Sequence, residues 1–379
     1  MKVLFITRPS VFSGPGGDTV QLLKTAEYLK ELGVDVTVAD HPMPDLGGYD
    51  LIHFFNLRNP QDLLINVRRV RRAGIPSVLS TIWGSYHEGD IHTRSGLQGF
   101  ISRHLSEHQV EYLKALARCI INRRLDNAMI RYILAGHRCA QKEIVSSVDI
   151  LLPNSSTELS RVREDMDAYG KAGVVVVNAV DPEVFDPRRI VVDNKYRHFE
   201  GCVLCAARVE GRKGQLELIR ALKGSSYKLV IVGQASPHNR SYYDQCRREA
   251  DDNVYFIPHV EHYELAQLYK LAKVHALVSW METPGLSSLE AALMGCNLVI
   301  TDRGDTQYYF EDYAVYVDPR DRNDIRRGIE RAMQAPMNPK LSQHVLENFT
   351  WRHTAKNTVE GYKAALKMRT DPVMGSRNK

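Results

Sequence analysis

The chain contains no long hydrophobic run, little cysteine and no low-complexity tract, and each absence removes a class of protein. No stretch approaches the roughly 18 apolar residues that a membrane-spanning helix needs. The start, Met1-Lys-Val-Leu-Phe-Ile-Thr7, is too short an apolar segment for a secretory signal. A cytoplasmic protein is expected. Cysteines at 119, 139, 202, 205, 246 and 296 are sparse and irregularly spaced, which fits reduced thiols better than a disulfide framework. Cys202 and Cys205 form a Cys-x-x-Cys, but within Gly201-Cys-Val-Leu-Cys-Ala-Ala-Arg208, which reads as a buried parallel strand whose residues three apart point to opposite faces. That placement argues against a metal or redox role. A Mg²⁺ or Mn²⁺ site beside a diphosphate wants an Asp-x-Asp at a strand end. The one match, Asp165-Met-Asp167, falls in a charged predicted helix, so no metal is expected.

What is present is an ordinary soluble composition, 44% hydrophobic and 25% charged, in 379 residues, enough for two domains. The net charge of +5 is unevenly distributed. Arg68, Arg69, Arg71 and Arg72 cluster in one predicted helix, and Arg118, Arg123, Arg124, Arg131, Arg138 and Lys142 in a later helical region face only Asp126 and Glu143. Two readings stay open: a solvated helix surface, or a face for an anionic membrane or an acidic acceptor. Apolar Phe100, Ile101, Leu105, Ile120, Ile121 and Leu125 lie beside these basic residues and read first as core.

Along the chain, strands and helices alternate. Lys2 to Thr7 reads as a strand, Ser10 to Gly17 as a glycine-rich loop, and Asp18 to Leu32 as a helix with an Asp18…Gln21 capping pair, ended by Gly33. Strands at Val34 to Ala39, Leu51 to Phe55 and Ser77 to Ile82, with a helix from Pro60 to Arg72, extend a parallel sheet. Residues 96–147 form a helical insertion before a strand at Val148 to Leu152, and Val174 to Val177 reads as a further short strand. Asp186 to Glu200 reads as a linker. A second series follows: strands Cys202 to Ala207, Lys228 to Val232, Val254 to Ile257, Val274 to Trp280 and Asn297 to Thr301, separated by helices. A final amphipathic helix spans Asn348 to Met368 and contains Trp351; a disordered tail is expected after it. The expected domains are therefore 1–185, a linker at 186–200, a second α/β domain at 201–350, a helix at 351–368 and a tail at 369–379.

The most telling segment is Glu282-Thr-Pro-Gly-Leu-Ser-Ser-Leu-Glu290. A strand runs into a Pro/Gly turn and a helix starts near Leu286, so unpaired backbone N–H groups and the positive end of a helix dipole lie beside two acids. An anion fits there. A diphosphate would rest on this helix start, against the segment Thr283, Pro284, Gly285, Leu286 and Ser287, with Glu282 at one end of the ligand and Glu290 about one turn in at the other. Ala206-Ala-Arg208-Val-Glu-Gly-Arg-Lys213-Gly214 lies between a strand and a helix, which puts Arg208 and Lys213 at the carboxyl end of a parallel sheet, where two cations neutralise a diphosphate.

These two segments resemble the Glu-x7-Glu motif and the Arg-x4-Lys-Gly clamp of the retaining family 4 glycosyltransferases, among the glycosyl transferases group 1. The resemblance implies an α/β protein of GT-B fold: two Rossmann-like domains facing a cleft, with a C-terminal helix crossing back to the N-terminal domain. It implies that Glu282 approaches the donor sugar, that Glu290 binds the ribose, and that Arg208 and Lys213 stabilise the departing phosphate. Gly16 and Gly17 resemble the family's Gly-Gly loop at the donor phosphate, and His259 and Val260 fall in its base-binding segment. Pro258 stands where glycine is common, which leaves the base open. Gly304-Asp305-Thr306 resembles a glycine turn near the donor sugar. The histidine many relatives carry after the fourth strand is missing from Ser80-Thr-Ile-Trp83-Gly-Ser-Tyr-His87-Glu88-Gly-Asp90. There Trp83 is a candidate to stack on a sugar, and His87, Glu88 and Asp90 to meet an acceptor hydroxyl.

The activity implied is retaining, metal-independent transfer of a sugar from a UDP- or GDP-sugar to a hydroxyl of a glycan or lipid-linked glycan, in cell-surface polysaccharide or glycolipid synthesis. Neither a resident cofactor nor a nucleic-acid partner is expected. Peripheral contact with the inner face of a membrane is a further expectation. The alternatives are a GT-B-type isomerase acting on the nucleotide sugar itself and a binding protein without turnover. A hydrolase using Glu282 and Glu290 as acid and nucleophile leaves the cations without a task.

Overall fold

A computed structural model of the chain describes residues 1–39, 41–93, 96–121 and 127–370. The described residues divide into two compact units, one within 1–83, 104–178 and 351–370, the other within 84–103 and 179–350. Residues 84–103 and 179–185, expected in the first domain, thus group with the second.

The first unit holds strands β1 (Lys2–Ile6), β2 (Asp35–Val38), β3 (Leu51–Phe55), β4 (Ser77–Ser80) and β5 (Ile150–Leu152), all parallel, in the order β2-β1-β3-β4-β5. Strands β3, β4 and β5 are buried along their whole length, which explains their unbroken apolar runs where helices cover both faces. Helix α1 (Gly17–Glu31) buries Leu22, Ala26 and Leu29, and α2 (Pro60–Ala73) buries Leu63, Leu64, Val67 and Val70 and stops at Gly74 in the left-handed region. The expected Asp18…Gln21 capping pair does not form. Thr19 Oγ1 instead accepts from the Gly16 amide at 3.0 Å, Asp18 pairs with Arg8, and buried Gln21 donates to Asn154 at 2.7 Å.

Helices α3 (His87–Thr93) and α4 (Gly96–His104) follow β4, then α5 (Glu107–Ile121), α6 (Asn127–Ala135) and α7 (His137–Ser147), the last packed on α2. Helix α8 (Ser156–Asp165) starts with a Ser155 cap: the Glu158 amide donates to Ser155 Oγ at 2.8 Å. The Glu158 carboxylate turns back to accept from the amides of Trp83 and Asn154. Residues 174–177 form no strand; a single bridge, Leu151 to Gly173, and the Val174 and Val176 amides hold this segment beside β5.

The second unit holds β6 (Val203–Ala206), β7 (Leu229–Val232), β8 (Val254–Ile257), β9 (Val274–Leu277), β10 (Asn297–Thr301) and β11 (Val315–Val317), in the order β11-β10-β9-β6-β7-β8, again all parallel. Connecting helices are α9 (Gln215–Ala221), α10 (Arg240–Glu249), α11 (His262–Leu271), α12 (Leu286–Leu293), α13 (Thr306–Phe310), α14 (Arg322–Gln334) and α15 (Pro339–Asn348). The end of the expected linker is structured: Asn194–Phe199 is a 3-10 turn anchored by buried Tyr196 and Phe199, with the Asp193 amide on Gln267 at 2.8 Å. Helix α16 (Trp351–Thr370) returns to the first unit, packs on α1 and β5, and donates from Thr354 Oγ1 to the Val177 carbonyl at 2.7 Å. Residues 371–379 of the expected tail lie outside the described residues.

Candidate functional site

Sheet order locates the site. In the second sheet the chain runs outward from β6 through β7 to β8, then returns to the other side of β6 with β9, so β6 and β9 flank a topological switch point. Ligands of open parallel sheets bind outside the carboxyl ends of the strands at that point. The loop after β6 carries Lys213 and the loop after β9 carries Glu282.

Backbone contacts bring the two loops together. After β6 the chain makes the 3-10 turn Gly211–Lys213, and the Trp280 amide donates to the Arg212 carbonyl at 2.9 Å. Gly214 has φ +70°, and a Cβ there would lie 2.3 Å from the Val278 carbonyl, so only glycine admits this approach. On the opposite side the loop after β10 holds the Glu282 backbone: its amide donates to Arg303 O at 3.2 Å and its carbonyl accepts from Asp305 at 2.9 Å. Gly304, at φ +94°, passes so close that a Cβ would fall 2.1 Å from Glu282 O. The Lys213 ammonium then meets the Glu282 carboxylate at 2.5 Å. Burial alone depresses this ammonium, but Glu282 more than reverses the effect and raises its pKa above the usual lysine value. The ammonium stays charged at neutral pH.

Gly285, at φ +89°, turns the chain into α12 beside Glu282. The amides of Ser288 and Leu289 donate to Gly285 O, so those of Leu286 and Ser287 lead the helix and point out of its N-terminus. One turn in, Glu290 accepts from buried Tyr269 Oη at 3.1 Å, and burial pushes its carboxyl up to about 7. Thr283, Leu286 and Ser287 are half-buried and Pro284 is buried in the same turn.

The remaining expected residues are distributed unevenly. Arg208 is 60% exposed, its guanidinium 3.7 Å from Glu210, so the fold brings Lys213 but not Arg208 to Glu282. His259 is exposed and Val260 half-buried beyond the edge strand β8. Gly16 and Gly17 belong to the first unit, where Gly16 caps α1 and Gly17 begins it, the loop tied by Arg8 to Asp18 and to the Gly14 carbonyl. Trp83 is a correction: it is buried at 8% exposure, its indole N–H donates to Asp165 at 2.6 Å and its amide to Glu158, so it has no free face for a sugar. Asp167 pairs with Lys142. Glu88 pairs with Arg303 at 3.2 Å, His87 is half-buried with its amide on Ser85 Oγ, and Asp90 is buried against Arg212. Cys202 and Cys205 are free, buried thiols, both pushed by burial up to about 12. Among the described residues no group of three or more His, Cys, Asp or Glu is placed to share a metal ion. The contributions of Arg212 and Tyr269 went unread, because their acidic partners lie 122 residues before the one and 21 after the other.

Residues 193–348 match the profile of the family Glycosyl transferases group 1. Across that region, less than half of its length, the chain is similar to this family. A D-inositol 3-phosphate glycosyltransferase of Stackebrandtia nassauensis is 25% identical over 60% of this chain, and the match spans only 57% of that relative's length. An uncharacterised glycosyltransferase of Methanocaldococcus jannaschii is 24% identical over 97% of this chain and 99% of its own. Among solved structures, sucrose-phosphate synthase from Thermosynechococcus elongatus superposes with a TM-score of 0.72 at 15% identity, covering 96% of this chain and 98% of that one. Anabaena HepE in complex with UDP and glucose superposes with a TM-score of 0.64 at 16% identity, over 96% and 99% of the two chains. The fold is GT-B. The group 1 region contains the whole of the Lys213, Glu282 and Glu290 arrangement.

Proposed function

We propose that the chain is a retaining glycosyltransferase that moves a sugar from a UDP- or GDP-sugar to a hydroxyl of a glycan or lipid-linked glycan. The observation that carries this reading is the Lys213–Glu282 pair, at 2.5 Å, at the switch point of the second sheet and beside the leading amides of α12. A diphosphate on those amides meets a fixed ammonium and a helix dipole, which act where negative charge grows as the sugar–phosphate bond breaks. In this reading the C1–O bond to the β-phosphate breaks and the acceptor oxygen bonds to C1 on the same face. The hydroxyl proton passes to the departing phosphate oxygen, so no protein nucleophile is needed. Glu282 holds Lys213 and faces the sugar, Glu290 receives the ribose hydroxyls, and Arg208, long and exposed, closes on the diphosphate once it arrives. The cations for the leaving group are then side chains, with no metal required. The relatives named as glycosyltransferases and the neighbour holding UDP and glucose support the reading.

Peripheral membrane contact belongs to the same proposal. Ile130 and Leu134 lie one turn apart on α6, Leu134 81% exposed, beside exposed Arg131. The side chains of Arg118, Ile120 and Ile121, and residues Arg123, Arg124 and Leu125, lie outside the described residues. Arg68 of the neighbouring cluster is tied to Glu143 at 2.5 Å. No described helix is long and apolar enough to cross a membrane.

The test is calorimetric titration of purified protein with UDP, GDP and ADP, then incubation with the matching sugar donors with and without glycan and glycolipid acceptors. Product retaining the donor's anomeric configuration, formed in the presence of EDTA, is expected. Epimerised donor without acceptor, or binding without turnover across the panel, overturns the reading in favour of the isomerase or the binding protein.

A further inference from the structure

The turn that carries Lys213 is thinly backed. A cavity of ≈ 420 Å³ lies against it, lined by Gly211, Gly214, His92, Thr93 and Trp280 among others, so close packing does not fix the turn on that side. Besides the close approach of Gly214 to Val278, Arg212 holds it. Its Nε and Nη2 both donate to Asp90 Oδ1, at 2.9 and 2.8 Å, its guanidinium lies 4.7 Å from the Tyr86 ring centre, and its carbonyl accepts from Trp280. Asp90 is 4% exposed. Its helix, α3, is itself fitted to the second unit: His92 stacks on Trp280 with ring centres 4.7 Å apart, a Cβ on Gly89 would lie 2.8 Å from Trp280 Cβ, and one on Gly211 would lie 2.9 Å from Thr93.

We infer that Asp90 and Arg212 are positioning residues for transfer: the clamp fixes the 211–213 turn so that the Lys213 ammonium is aimed at Glu282 and at the leaving phosphate. A residue read in the sequence as a candidate for the acceptor thereby serves the donor side. Arg212 precedes Lys213 directly, so rotation of its side chain or carbonyl displaces the ammonium, and displacement of a reacting group by about 1 Å costs on the order of 100-fold in rate. The inference rests on Lys213 acting as proposed above.

The test uses the full chain with the best donor and acceptor of the panel. Asp90→Ala is expected to lower kcat about 10- to 100-fold while changing the donor KM less than about threefold. Asp90→Asn keeps Oδ1, the atom that accepts both bonds, and is expected to restore kcat to within about fivefold of the parent. Asp90→Ala combined with Arg212→Met removes the clamp without leaving a buried charge, guards against misfolding, and is expected to stay as slow as Asp90→Ala. In a Lys213→Ala background, Asp90→Ala is expected to change kcat less than about twofold, since its effect runs through that lysine. Recovery of parental kcat in the double Asp90→Ala, Arg212→Met variant, or an undiminished effect without Lys213, overturns the inference. If Lys213→Ala itself turns over normally, the proposed function fails; if it is slow while Asp90→Ala is normal, only the clamp fails.

Discussion

Glu290 gives a prediction in which pH, stability and site chemistry meet. Its carboxyl, ordinarily near 4.5, is pushed by burial up to about 7, with Tyr269 Oη as its hydrogen-bond donor. The folded state therefore binds the Glu290 proton more tightly than the unfolded chain. Where the folded pKa lies above the unfolded one, stability falls as pH rises between the two values. A tenfold change in proton affinity corresponds to about 1.4 kcal/mol, so ionised Glu290 destabilises the ligand-free fold by up to about 3 kcal/mol above pH 7. Glu290→Gln keeps an acceptor for Tyr269 and removes the titration. Relative to the parent, it should gain about 2 kcal/mol between about pH 5 and about pH 8. Urea unfolding of both proteins at each pH, followed by tryptophan fluorescence, measures this through the shift in midpoint, the appropriate readout for a chain of two units. Midpoint differences equal at the two pH values would refute the claim that the carboxyl is held out of water. In the same protein, the loss of a carboxylate for the ribose hydroxyls should weaken nucleotide binding, and Glu290→Ala should weaken it further.

Lys213→Ala should lower kcat about 100-fold while weakening nucleotide affinity less than about fivefold, measured by steady-state kinetics and calorimetry, because the ammonium acts mainly on charge that grows in the transition state. Gly304→Ala should destabilise the second unit by about 2–4 kcal/mol and abolish turnover, since its Cβ would fall 2.1 Å from Glu282 O at a positive φ; an unchanged thermal midpoint speaks against this geometry. Trp83→Phe should cost about 1–3 kcal/mol of stability through the lost bond to Asp165, and a raised acceptor KM without loss of stability would restore Trp83 as a sugar platform. Leu134→Glu should reduce co-sedimentation with vesicles of anionic lipid without changing turnover of a soluble acceptor, and equal sedimentation of parent and variant removes the membrane face.

Much of the fold was legible because its signals are local. Strands at Leu51–Phe55, Val254–Ile257 and Asn297–Thr301 have the expected bounds, each a short apolar run between turn formers. Pro60 opens α2 and Gly74 closes it, a local proline and glycine pattern that the chain obeys. Residues 174–177 failed for the opposite reason: valine propensity marks a strand, but a strand also needs a neighbour with free ladder groups, and β5 offers this segment only isolated bonds. Trp83 failed likewise, since nothing in Ile82-Trp83-Gly84 announces an accepting carboxylate at Asp165.

The site divides along the same line. Lys213, Glu282 and Glu290 sit in segments whose turns and helix starts are written in consecutive residues, and strand order brings those segments to neighbouring strands. Which cation reaches Glu282 is not written there: Arg208 and Lys213 both carry a positive charge on a long side chain, and only the tight turn through Gly214, pressed on Val278, decides for Lys213. That turn depends in its own right on Asp90, a residue distant in sequence whose burial reflects α3 joining the second unit. Breaking a buried pair by removing one partner typically costs about 3–5 kcal/mol, so Arg212→Ala, which takes the guanidinium from Asp90, should lower the thermal midpoint of the second unit about as much as Lys213→Ala, which takes the ammonium from Glu282. A clearly milder effect of Arg212→Ala would mean that α3 is held by Trp280 and its neighbours alone and that the ion pair follows from the docking of α3 without causing it.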